Sequence, residues 1–261
     1  MVTFLLLFFA HPVQAATSTV LAPGTQPLAN EMALVTALTA VCGNHLRSDA
    51  ELSDALETYE ECDVVVNQSG FLVRRLLDRV ESRTAPLTDS EKESVQEADL
   101  TILQSLGFDE SEFDNVVTTE VGARDAVEGG TPRPTRYIAS KTFVDRSFDG
   151  YSLIGSRVVV TRNAEGALVG INATWPAVET GAVLRVTDDA LASVDDVPPD
   201  LVPGTVRQVQ KIIVPVFDDQ GVLVSGTVLT EVGYSVYRNE PKTKAVYLLD
   251  GVRVNPLSLE D

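Results

Sequence analysis

The sequence is short of the residues that carry most protein chemistry. In 261 residues it has two histidines, two cysteines and one tryptophan. His11 lies in an apolar leader, which leaves His45 as the only imidazole beyond it. A Ser/His/Asp triad would have to use His45, and no Gly-x-Ser-x-Gly elbow accompanies it. One imidazole and two thiols are too few ligands for a tetrahedral zinc site. Positive charge is scarce as well, with 20 Lys and Arg against 38 Asp and Glu and a net charge of −18. Phosphate backbones need cations to displace their counterions, so this balance disfavours nucleic acid, and anionic lipid for the same reason. There is no Gly-rich phosphate loop ending in Lys. No cofactor and no metal are expected.

Long apolar runs are missing too. The longest is Val2 to Ala10, with Phe4, Leu5, Leu6, Leu7, Phe8 and Phe9. It is far short of the roughly 20 residues that span a bilayer as a helix. Small residues follow at Val13-Gln14-Ala15, so residues 1–15 read as a signal peptide cut between Ala15 and Ala16. The expected location is secreted or periplasmic, with no integral membrane segment in the mature chain. Residues 16–30 carry no charge and mix Thr, Ser, Pro and Gly, a composition that cannot offset its own ordering entropy. They read as a flexible linker. In an oxidising compartment Cys42 and Cys62 are expected to pair, contributing on the order of 3 kcal/mol in the chain-entropy model.

Charge divides what remains. Residues 31–130 carry a net of −15, and residues 131–261 a net of −3. Two parts are therefore expected: an acidic helical domain over 31–128 and an antiparallel β-rich domain over 135–256, joined by the Gly- and Pro-rich stretch between. The fold class this implies is α+β.

The first part offers five helical signals. Glu31 to Cys42 is apolar and stops at Gly43-Asn44. Ser48-Asp49-Ala50-Glu51 is a capping box opening toward Glu61, so a Cys42–Cys62 bridge would clamp a helical hairpin. Phe71, Val73, Leu76, Leu77 and Val80 read as a helical stripe over 69–82. Thr88-Asp89-Ser90-Glu91 caps another helix, with Val95, Ala98, Ile102 and Leu106 on one face. Phe113, Val116, Val117 and Val121 suggest a last one.

In the second part the period turns to two. Ala167, Val169, Ile171, Ala173 and Trp175 share a strand face, as do Val222, Val224, Val228, Val232, Tyr234 and Val236. Tyr247 and Leu249 continue the alternation. Two hairpins look alike, Asn163-Ala164-Glu165-Gly166 and Asp218-Asp219-Gln220-Gly221, each with Gly where a positive φ is needed. A short capped helix is expected at Thr187 to Ala192.

Phe148-Asp149-Gly150-Tyr151-Ser152-Leu153-Ile154-Gly155, followed by Arg157-Val158-Val159-Val160, resembles the DG-x-x-V-x-G segment and strand of PepSY and fungalysin/thermolysin-type propeptide modules. The Asn163–Gly166 hairpin is similar to the turn that follows in those modules, and Thr187-Asp188-Asp189-Ala190 to the opening of the next one. Ile154 stands where the family has Val. The likeness spans roughly residues 137–237. It implies cystatin-like sheets used to inhibit or chaperone a secreted peptidase and, with no peptidase motif in this sequence, a role in trans.

Asp145 to Ser156 matches the first half of a calcium loop but has Ser156 where a bidentate Glu belongs. Asp109 to Glu120 matches it less well, with Phe113 and Asp114 at the fifth and sixth positions. Asn67-Gln68-Ser69 and Asn172-Ala173-Thr174 are glycosylation sequons for a eukaryotic secretory route. The expected function is a secreted, non-enzymatic protein-binding module whose partner is another protein, with a secreted peptidase, inhibited or chaperoned in trans, as the candidate. A carboxylate-based hydrolase and an envelope-associated structural protein are the alternatives.

Overall fold

The computed structural model describes residues 17–20, 31–43, 62–67, 70–77, 81–124, 134–186, 205–235, 243–247 and 253–258. In chain order the elements are β1 (Thr17–Val20), α1 (Glu31–Cys42), β2 (Cys62–Asn67), β3 (Gly70–Arg75), α2 (Asp89–Ser105), a 3₁₀ turn (Glu110–Glu112), β4 (Phe113–Ala123), β5 (Arg136–Phe148), β6 (Tyr151–Asn163), β7 (Leu168–Thr174), β8 (Val178–Val186), β9 (Thr205–Phe217), β10 (Leu223–Ser235), β11 (Thr243–Tyr247) and β12 (Arg253–Ser258). The protein is mostly β. The expected α+β division is not found, because strands from both sides of residue 128 join one sheet.

That sheet runs β1-β8-β10-β9-β6-β7-β3-β2, with β5 on the other edge of β6 and β4 beyond β5. It is mixed and curled: β8 with β10 and β6 with β9 are parallel, and the other pairs are antiparallel. One edge of β6 is shared, Ser152 and Leu153 pairing with β9 while Arg157 to Arg162 pair with β7. β11 and β12 form a separate two-stranded ladder.

Two of the expected helices are present. α1 ends where expected, and Gly43 donates its N–H to the Thr39 carbonyl at 3.0 Å. α2 opens on the expected capping box: the Glu91 N–H donates to Thr88 Oγ1, and the Thr88 N–H to Glu91 Oε2 at 2.7 Å. Within the stripe expected over 69–82, Gly70–Arg75 is a strand and no described residue is helical. Phe71 and Val73 alternate inward on the strand, at 3% and 0% exposure, while Leu76 and Leu77 lie past its end and stay 46% and 40% exposed. A Cβ at Gly70 would lie 1.8 Å from the Ala173 carbonyl oxygen, so only glycine lets β3 start against β7.

Residues 113–123 are also a strand. A register shift between Asp114 and Val117, with Asn115 at φ 41°, lets Phe113 and Val116, three residues apart, both pack on the core while Val117 faces out at 42% exposure. Run through the β-branched residues Val116 to Thr119, strand preference prevails. The helices expected at 48–61 and 187–192 lie outside the described residues, as do residues 129–133 of the expected linker. Cys42 and Cys62 are bonded, with Cα atoms 6.4 Å apart. Because Cys62 opens β2, the bridge ties the end of α1 to an edge strand; the second helix of the expected hairpin is among the residues not described.

On β7 the expected alternation holds from Ile171 through Ala173 to Trp175, all in the core; before it a register shift leaves Ala167 exposed, turns Leu168 to the core and sets Val169 in the groove lining. On β10 it holds only in part. A bulge between Leu223 and Ser225 puts Leu223 in the core and leaves Val222 and Val224 half-buried, and even positions face inward from Gly226 to Val228. The two hairpin turns are built alike. In each, the side-chain oxygen of Asn163 or Asp218 accepts two backbone N–H groups, and a glycine at positive φ closes the turn, Gly166 at 86° and Gly221 at 76°.

Two clusters make the core. The larger packs α1 and α2 onto the inner face of β3, β7, β6 and β5, through Leu38, Val41, Leu103, Phe71, Val158 and Ile171. Phe108 and Phe113 meet Trp175 edge-on, centroids 5.2 and 6.1 Å away. The smaller joins Phe148 and Leu153 to β8, β9 and β10 through Leu184, Ile213, Leu223 and Val228. Among the described residues no helix is long and apolar enough to cross a membrane.

Candidate binding face

The helices cover one face of the β2-β3-β7-β6-β5-β4 region, and pleating sends alternate residues to the other face. Register then builds two rows there that no single strand contains. Val65, Leu72, Asn172, Val159, Phe143 and Val117 are consecutive cross-strand partners. Two residues along the strands, so are Asp63, Arg74, Gly170, Thr161, Lys141 and Thr119. An apolar row thus lies beside a polar, cationic one, about 6.7 Å away.

The middle of these rows is an open groove of ≈ 680 Å³, within the size range of ligand sites. Leu72, Phe143 and Val159 give it an apolar floor; Arg74, Arg75 and Lys141 give it cations. Its lining contains no Asp or Glu. At the centre Gly170 leaves a notch between Arg74 and Thr161. Arg74 reaches outward to Asp63 on β2, an exposed ion pair that contributes little. Arg157, one row further, pairs with Asp145 and lies 5.6 Å from the Phe143 ring centre. Lys141 is half-buried and makes no ion pair among the described residues.

Two buried charged clusters lie on the inner face. Arg146 donates from Nε to Glu112 at 2.7 Å and from Nη1 to the Pro176 carbonyl at 2.6 Å, and its guanidinium lies 4.7 and 4.8 Å from the ring centres of Phe148 and Trp175. Burial pulls the Arg146 pKa down from its ordinary value, and the Glu112 charge opposes that pull. Asp99 on α2 accepts from Thr142 at 2.5 Å and from Arg162 Nε at 2.7 Å, and Thr142 also meets Thr118 at 3.0 Å. Burial raises the Asp99 carboxyl above its usual range, with Thr142 and then Arg162 acting against it. Each cluster pins a helix or turn to the sheet, and neither lines the groove.

Of the residues expected from sequence to matter, Cys42 and Cys62 come together; Ala15, Ala16 and His45 lie outside the described residues. The stretch Asp145 to Ser156 is two strands joined at Asp149-Gly150, with φ of 51° and 78°, so its oxygens follow a hairpin and do not converge as a cation loop requires. Asp109 instead caps the 3₁₀ turn. The groove residues escaped the sequence reading. Alternation marks Lys141, Phe143, Val159 and Thr161 as outward-facing, but only register sets them side by side. No protein-family model, curated protein or solved structure matches this chain.

Proposed function

We propose that this protein is exported and acts as a non-enzymatic binding module that holds a protein partner on the outer face of β3, β7, β6 and β5. The observation that carries the reading is the apolar-and-cationic groove on a sheet face, set in a chain of net charge −18. Large acidic proteins do not place cations in a lined hollow for solubility, which the surrounding carboxylates already supply. A lining of cations, amides and apolar groups supports binding over carboxylate-based hydrolysis at this face. The cystine supports an oxidising compartment. Inhibition or chaperoning of a secreted peptidase is the form the propeptide-like segment gives to this role.

The test is capture from culture supernatant at low salt, using the full chain and a Phe143→Ala/Lys141→Ala variant of matched stability. A protein held by the wild type and released by the variant supports the reading. Equal capture by both, or none by either, refutes it for this face.

A further inference from the structure

The two rows that form the groove differ in chemistry and sit at a fixed spacing. Adjacent rows are two residues apart along the strands, about 6.7 Å, which is also the distance between alternate side chains of any extended chain. Across the strands, Arg74 and Lys141 are separated by three strand spacings, about 14 Å, with Gly170 and Thr161 between them. Both side chains are long enough to lean over the notch at Gly170. A single anionic group set there would meet a cation from either side. Beside it, Leu72, Val159 and Phe143 offer an apolar surface on the neighbouring row.

From this geometry we infer that the groove recognises an extended segment of a protein partner bearing a carboxylate and, two residues away, a large apolar side chain. The inference rests on reading the outer face as the binding face, and it adds the ligand's chemistry. The carboxylate sits over Gly170 between Arg74 and Lys141, exchanging Arg74 from Asp63 to the ligand. The apolar side chain lies on Val159 and Phe143. Charge complementarity selects an acidic segment, and the shape selects a segment over a surface. A bilayer bearing anionic lipid would have to approach the whole −18 chain, whose repulsion acts over roughly 8 Å at physiological salt. A single strand can enter the groove and leave most of that surface in solvent.

Gly170, a buried strand position, lets the notch itself be tested, with Lys141→Gln as the surface variant that leaves the backbone untouched. A Cβ built on it meets nothing nearer than the Val73 carbonyl oxygen at 3.4 Å, and no positive φ is required there. Gly170→Val therefore fills the notch while β-branching suits the strand. The probes are blocked hexapeptides with Glu two residues from Leu, the same peptide with Gln for Glu, and one with the two side chains a single residue apart. Titrations into the full chain are followed by amide chemical shifts at low salt. The Glu peptide is expected to shift β5, β6 and β7 amides and to weaken about fivefold with Lys141→Gln, near the most a partly exposed ion pair contributes. The Gln peptide, the mis-spaced peptide and Gly170→Val should each lose most of the binding.

Equal binding of the Glu and Gln peptides, or full binding to Gly170→Val, overturns the inference. So does tighter association with vesicles of equal phosphatidylcholine and phosphatidylserine than with the Glu peptide. If no peptide binds while the Phe143/Lys141 variant still releases a captured protein, the ligand chemistry fails and the binding face stands. If capture itself is insensitive to that variant, the face fails first.

Discussion

Glu112→Gln should be among the most damaging single substitutions in the protein. Arg146 has no exposed side-chain surface and Glu112 only 4%. Their contact at 2.7 Å is the ion pair that offsets the cost of burying the guanidinium. Removing the charge from Glu112 leaves Arg146 charged in a low-dielectric site, a step that typically costs about 3–5 kcal/mol. For a chain of this size that corresponds to a fall in Tm of roughly 10 °C. The stacking of Arg146 against Phe148 and Trp175 survives and recovers at most about 2 kcal/mol, already present in the wild type. Lysine should not replace the arginine, because it lacks the planar fork that serves Glu112 and Pro176 together. The revealing variant is the double replacement Glu112→Leu/Arg146→Met. It removes both charges and should cost far less than the two single changes combined. Urea unfolding of the four proteins gives the coupling directly. A Glu112→Gln penalty under about 1 kcal/mol, or additive penalties in the double variant, would refute the account of this cluster.

Two other changes separate structural roles. Cys42→Ser/Cys62→Ser should lower stability by about 3 kcal/mol and speed amide exchange at Leu34, Leu38 and Val41, since α1 loses its tie to β2; an unchanged urea midpoint would contradict this. Asp99 tests the sign of a buried carboxyl. Its pKa is raised on folding, so its contribution is full below the ordinary value of 3.8 and fades as pH climbs through the folded value. Asn at this position does not titrate, so the stability gap between wild type and Asp99→Asn should narrow from about pH 4 to about pH 7. A gap that widens over that range would mean the Arg162 contact outweighs burial.

What the sequence made legible was local. The capping box at Thr88 and the helix stop at Gly43 depend on neighbours within four residues, and both are where the pattern puts them. The alternation of Ile171, Ala173 and Trp175 is a strand signal with no competing period. Misreadings cluster at irregularities. The bulge at Asn115 puts Phe113 and Val116 on one face at a helical spacing, and the bulge after Leu223 reverses which side of β10 faces inward. Asp99 and Arg146 were invisible as core residues because each is buried only by virtue of a partner more than thirty positions away. The groove lay furthest from view. Its residues come from positions 72 to 172, and their adjacency is a property of strand order, which no local pattern encodes.

Asn172 heads an Asn-Ala-Thr sequon, and its side chain stands in the centre of the apolar row, between Leu72 and Val159. A eukaryotic expression host that modifies this position would plant a sugar tree in the middle of the groove. Protein purified from such a host would keep its fold and its helices and still take up nothing on that side. Bacterial production, or Asn172→Gln, which removes the sequon without adding charge, restores access, so the choice of host by itself can decide whether any partner is ever found.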